Sequence, residues 1–208
     1  LKSTEILVAA LAGAFLSAAL LLCAPRAFGQ EIPRAAVQYR HALTSSARLV
    51  WGLNAPVATF AGQVHQESAW RADARSPYAD GLAQFTPATA EWIGDVYPDL
   101  AARQPFNPAW ALRALVRYDR FLWTRNPAAT ECDRMAFALA SYNGGEGWLR
   151  REQARAAAKG ADRLRWFAHV ERHCIRADWA CRENRDYPRK ILLKHQLVYT
   201  AWGLATAC

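Results

Sequence analysis

Apolar residues recur along this chain at spacings of three and four, as on helices with one buried face. Arg34 to Leu53 reads as a first helix, which Asn54-Ala55-Pro56 breaks. Proline suits the first turn of a helix, so a second helix is expected to begin there and to reach about Glu67. Asn107-Pro108 repeats the start signal, and Ala109 to Trp123 follows with Leu112, Leu115, Val116 and Leu122 apolar. Thr130, with Asp133 three residues on, reads as an N-cap pair. The helix it opens carries Met135, Phe137, Ala138 and Leu139 and stops at Asn143-Gly144-Gly145. Trp148 to Lys159, Arg163 to Arg172 and Pro188 to Val198 read as further helices. Alternating strand patterns are scarce, and one short β-hairpin is expected near Gly81 to Phe85. The fold class is therefore mainly α. No internal repeat and no Gly/Ser linker divides the chain, so residues 30–208 are expected to form a single globular domain.

The first residues differ from the rest. Lys2 precedes an apolar run from Ile6 to Ala24, and Ala27-Phe28-Gly29 places small residues where a signal peptidase reads. Residues 1–29 are expected to be a secretory signal peptide, cut after Gly29. The run is about 19 residues, which also suits an uncleaved membrane anchor. Either way the chain is expected to be exported, to the periplasm or cell envelope, and to meet membrane only through that segment if it is uncleaved. Four cysteines follow it: Cys132, Cys174, Cys181 and Cys208. An even count in an exported chain points to disulfides, and three sets of two are open. A short loop closes cheaply, which favours Cys174 with Cys181 and leaves Cys132 with Cys208.

The 208 residues are 52% hydrophobic and 21% charged, the balance of a folded protein, with a formal charge of +8. A basic surface suits a polyanionic partner. Export argues against nucleic acid and leaves lipid surface or cell wall. Arg150, Arg151, Arg155, Lys159, Arg163 and Arg165 make a basic stretch whose plainer reading is a solvated face. His169 and His173, beside Cys174 and Cys181, have the look of metal ligands, but their spacing is not His-Glu-x-x-His and export favours disulfides. No metal, no cofactor and a monomer are expected. Of nine tryptophans, Trp70, Trp92, Trp110 and Trp123 have the rings to stack on sugars, although most are expected in the core.

The most informative residue is Glu67. On a helix, Phe60, Val64 and Glu67 share one face, so the carboxyl points where the apolar residues point. Burial raises the pKa of a carboxyl, and an acid still protonated near neutral pH can protonate a leaving oxygen. From spacing alone, a glutamate capped or lying on the surface is the plainer reading.

Its surroundings change that. Gln66-Glu67-Ser68-x-Trp70, Ala74-x-Ser76, Gly81-Leu82-Ala83-Gln84 and Pro87-x-Thr89 stand in order. Ala138-Leu139-Ala140-Ser141-Tyr142-Asn143-Gly144-Gly145 and Glu183-Asn184-x-x-Tyr187 follow. From about Val57 to Leu193 this order resembles the SLT-type lytic transglycosylases, which are related to goose-type lysozymes. The chain departs from that pattern with Ala83 for methionine, Ser141 for alanine and Asn184 for threonine. The region from Lys159 to Cys181 lies outside it. The resemblance implies a lysozyme-like, mainly α-helical domain with a substrate cleft. It implies cleavage of the β-1,4 bond between N-acetylmuramic acid and N-acetylglucosamine in peptidoglycan glycan strands. The sugar's own 6-hydroxyl then closes a 1,6-anhydro ring, so one glutamate, Glu67, serves as acid and then as base. By the same resemblance Ser68 supports Glu67 or bonds the sugar, and Gly81, Leu82 and Gln84 form the cleft wall. Tyr142 borders Glu67 and helps hold its proton, Asn143 offers an amide to an N-acetyl group, and Tyr187 bonds near the acid. The rival readings are a goose-type-like lysozyme that hydrolyses the same bond and a non-catalytic wall-binding or assembly protein on the same fold.

Overall fold

Helix ends in this protein are set by a few polar side chains and prolines. The computed structural model describes residues 31–208; the expected signal peptide or anchor lies outside the described residues. α1 (Arg34–Val37) is one turn behind Pro33, and α2 (Arg40–Trp51) follows after a turn at Gln38-Tyr39. The single long helix expected here is thus two. The break lets the Tyr39 ring stack on Trp70, with centroids 6.1 Å apart. Gly52 ends α2 at φ 81°, a left-handed conformation that suits glycine. α3 (Val57–Ser68) begins after Pro56, as the proline signal predicts. α4 (Pro87–Val96) was not expected from the apolar pattern. Its start signal is nonetheless present, because Thr86 Oγ1 accepts from Thr89 N at 3.2 Å and Pro87 fills the first position.

α5 (Pro108–Arg125) is capped by Asn107, whose Oδ1 accepts from Ala109 N and Trp110 N. α6 (Glu131–Gly144) is capped by Thr130, whose Oγ1 accepts from Asp133 N at 3.0 Å. Gly145, at φ 91°, ends it, and α7 (Glu146–Ala158) starts at once. Arg163 to Arg172 is not the helix its composition suggests. It is a series of turns ending in a short 3-10 turn, Val170–Arg172. Tertiary bonds override propensity there: Asp133 Oδ1 accepts from Trp166 N at 2.9 Å, and the Trp166 ring is buried.

α8 (Asp178–Lys190) starts ten residues before the expected Pro188, which lies inside it. It continues as a π-helical turn, Ile191–His195, and then α9 (Gln196–Val198). Proline read as a start signal hid the helix that precedes it. The expected hairpin reduces to two isolated bridges, Arg75 with Asp80 and Asp80 with Phe85; among the described residues there is no extended strand. The fold is mainly α, and Ile32–Cys208 form one compact unit.

Two apolar clusters hold the unit together. One gathers Leu43, Phe60, Val64, Leu82, Phe85 and Leu115 around α3. The other gathers Phe137, Leu139, Trp166, Ile191 and Leu192 around α6. Tyr118 and Tyr142 pack against both, so they mark the seam. α3 is the central helix, buried from Val57 to Val64. At Gly62 it meets the C-terminal helices so closely that a Cβ would lie 2.7 Å from Gln196 N. Disulfides join Cys132 to Cys208 and Cys174 to Cys181. The first ties the C-terminus to the start of α6.

Candidate active site

A cleft of about 400 Å³ opens along the seam between the two clusters. Glu67 stands at its base, in the last turn of α3. The negative end of the helix dipole lies there, which disfavours a second negative charge. Tyr187, projecting from α8, donates its hydroxyl to Glu67 Oε1. Burial pushes the Glu67 carboxyl up to about 8, and the negative charges of Glu183 and, once it ionises, Asp119 push the same way. The Tyr187 bond opposes them, because it favours the charged form. Desolvation outweighs that one bond, so the group is a protonated acid at neutral pH.

Tyr142 does not hold that proton. Its hydroxyl donates to Ala83 O at 2.7 Å, and its ring stacks on Tyr187 at 6.4 Å between centroids. It therefore fixes the Gly81-Leu82-Ala83-Gln84 loop to α6 and buttresses the tyrosine that does touch Glu67. Within that loop Gly81 takes φ 76°, and a Cβ there would fall 1.9 Å from Pro105 O. The close approach that requires glycine is thus to the protein's own backbone. Leu82 is fully buried and supports the wall from behind rather than lining it. Gln84 lines the cleft at φ 46°. Its Nε2 donates to Gly81 O at 2.9 Å and Ala74 O at 3.3 Å, so the side-chain oxygen is the group left to face a ligand.

Ser68 is also corrected. It follows Val64 by one helical turn, is buried, and its Oγ bonds back to Val64 O at 3.3 Å. It reaches neither Glu67 nor the cleft. The serine in the cleft is Ser76, whose Oγ accepts from Ala79 N at 2.9 Å and shapes the Tyr78 turn. Asn143 lines the cleft as expected. Its Nδ2 donates to Glu183 Oε1 at 3.1 Å, and its Oδ1 accepts from Asn184 Nδ2 at 3.0 Å. Trp70 and Trp110 are core residues, each donating an indole N–H inside the protein, to Tyr199 Oη and Leu100 O. His65 turns from the cleft toward His195 and Tyr199. His169 accepts from Asp162 N, and both of the neighbouring cysteines are in a disulfide. Among the described residues no cluster of His, Cys, Asp and Glu suits a metal ion.

One acid was missed. Asp119 of α5 is fully buried, with Oδ1 accepting from Gln63 Nε2 at 3.3 Å and Oδ2 unpartnered. Burial pushes it up to about 8, against the pull of the Gln63 bond. Gln63 precedes Glu67 by one turn of α3, so a second protonated acid sits behind the first. A signal existed: Leu115, Val116, Asp119 and Leu122 share the apolar face of α5, as Glu67 shares that of α3.

A family model, the transglycosylase SLT domain, matches residues 52–164, and these include Glu67, Gln84, Tyr142 and Asn143. The chain belongs to this family. Curated relatives of the SLT domain include two proteins called membrane-bound lytic murein transglycosylase F. The one from Marinobacter nauticus is 38% identical over 105 residues, covering 50% of this chain and 20% of the relative. The one from Vibrio parahaemolyticus is 31% identical over 143 residues, covering 68% of this chain and 24% of the relative. The matched part of this SLT domain chain thus spans a quarter or less of the length of these relatives. Tyr187 and Glu183 lie past the residues matched by the family model, yet they complete the cleft around Glu67.

Proposed function

We propose that this SLT domain is a peptidoglycan lytic transglycosylase acting in the cell envelope. The observation that carries the reading is Glu67: a carboxyl held protonated at the base of a cleft, with a tyrosine hydroxyl on one oxygen. The family and the names of the relatives support the choice of substrate. In the proposed reaction Glu67 gives its proton to the oxygen linking N-acetylmuramic acid to N-acetylglucosamine, and the bond from the anomeric carbon to that oxygen breaks. Glu67, now a carboxylate, takes the proton from the 6-hydroxyl of the muramic ring as that oxygen attacks the anomeric carbon. A 1,6-anhydro ring closes, no water is consumed, and Glu67 returns to its starting state. Tyr187 steadies the carboxylate between the two steps. The oxygen of Gln84 and the amide of Asn143 suit the N-acetyl groups of the sugars.

A second reading has one observation in its favour. Glu183 also lines the cleft, and hydrolysis by a lysozyme-like route uses a second carboxylate beside the acid. One experiment separates the two. The purified chain is incubated with peptidoglycan sacculi, and the soluble fragments are weighed by mass spectrometry, with Glu67→Gln and Glu183→Gln alongside. Fragments lighter by one water than hydrolysis products, absent only with Glu67→Gln, are expected. Reducing-end fragments that vanish with either variant would make the protein a lysozyme. Failure to release fragments from any wall, by a folded protein, would leave a binding or assembly role.

A further inference from the structure

At its Asn143 end the cleft runs into a second groove of about 700 Å³. Tyr78, Asn143 and Glu183 line both, so the two form one trough. The far wall of this groove is the segment that the Cys174–Cys181 disulfide closes. That segment lies beyond residues 52–164, the part that matches the family model. It carries Trp179, which is 65% exposed, beside Ile175 at 39%, and Trp148 of α7 faces it at 37%.

An indole left largely in water forgoes the stabilisation that burying its apolar face would bring. Nothing in the local fold calls for one at this position, the second residue of α8, where any polar side chain would serve. The segment is also held still. Arg176 reaches inward from it, donating from Nε to Glu152 Oε1 at 2.9 Å and from Nη2 to Asn184 Oδ1 at 2.6 Å. Asn184 in turn bonds Asn143, a residue of the cleft. A large aromatic face is thereby pinned in register with the cleft, and a pinned aromatic binds with little loss of conformational freedom.

The groove chemistry selects a ligand class. Of the two charged side chains lining it, Arg176 is paired with Glu152, while Glu183 accepts from the neutral Asn143 amide and keeps its negative charge, so the lining offers no unpaired cation to draw an anion. What remains is indole surface edged by amide and carboxylate oxygens. A hexosamine ring has the matching form, with a flat face of C–H groups and a rim of hydroxyl and amide groups.

We infer that Trp179 is the platform of an additional sugar-binding subsite, where this protein grips a glycan strand beyond the rings that flank the bond at Glu67. The inference rests on the glycan reading of the cleft. Its consequence is a preference for long strands, since only they reach both regions.

The test uses the purified chain and peptide-free peptidoglycan strands sorted by length. The kcat/KM for long strands is compared with that for strands too short to pass Asn143. Wild type is expected to favour long strands, and Trp179→Ala to lower that ratio about tenfold, the effect of losing one aromatic anchor. Trp179→Tyr, which keeps a flat ring, should restore most of it. Replacing Cys174 and Cys181 together by serine should lower the ratio too, because the platform is then no longer pinned. A Trp179→Ala protein with the wild-type ratio would overturn the inference while leaving the glycan reading intact. If wild type cut strands of no length, the glycan reading would fall and this subsite with it.

Discussion

The buried acid behind the cleft makes the sharpest prediction. Asp119 is fully enclosed, one of its oxygens has no partner, and burial pushes it up to about 8. In the unfolded chain an aspartate ionises near pH 4. Between those two values the folded protein holds a proton that the unfolded chain has released. The folded state then binds more protons, so stability must fall as pH rises through this window. The slope for one such group is about 1.4 kcal/mol per pH unit, or about 3 kcal/mol between pH 5 and pH 7. Asp119→Asn removes the titration with little change of shape. Its oxygen can still accept from Gln63 Nε2, and its N–H₂ takes the place of the unpartnered Oδ2. The assay is urea denaturation of wild type and variant at several pH values from 5 to 7.5. Glu67 contributes a slope of the same sign to both proteins, so only the difference is read. The variant should gain on wild type steadily as pH rises. Parallel curves for the two proteins would mean that Asp119 is ionised in the folded state, and the argument from its burial would fail.

Two further predictions follow from the same geometry. Tyr187→Phe removes the hydroxyl that favours the charged form of Glu67, so the alkaline limb of activity should move to higher pH. The maximal rate should fall roughly 10- to 100-fold, the value of a hydrogen bond to a charged group, and a pH–rate profile reads both effects. Replacing Cys132 and Cys208 by serine frees the C-terminus from α6. It should cost about 2–4 kcal/mol in denaturant, with the fold retained.

Periodicity and end signals in the chain made much of this protein legible. The helical class, the caps at Asn107 and Thr130, and the face on which Glu67 lies follow from local rules that need no partner. Even Ser68 was readable, since it sits one turn beyond Val64 and must point inward with it. Two of the helix bounds are misread for one cause. Pro188 reads as a start because local sequence does not reveal that a helix already packed against α6 runs through it. Arg163 to Arg172 reads as a helix because the carboxylate that holds it in turns, Asp133, lies 33 residues before Trp166, the residue it binds.

By itself the sequence determined which face each helix offers and which acid stands on an apolar one. The tertiary structure decided what those faces meet. Tyr187 comes to Glu67 across 120 residues, Asp119 to Gln63 across 56, and Tyr142 to Ala83 across 59. Such meetings depend on how whole helices pack, and one hydroxyl sent to a carbonyl instead of a carboxyl changes a residue's role. The proton on Glu67 belongs to that second level. It is retained because desolvation by the assembled walls outweighs the single bond from Tyr187, a balance that exists only once the cleft has closed around it.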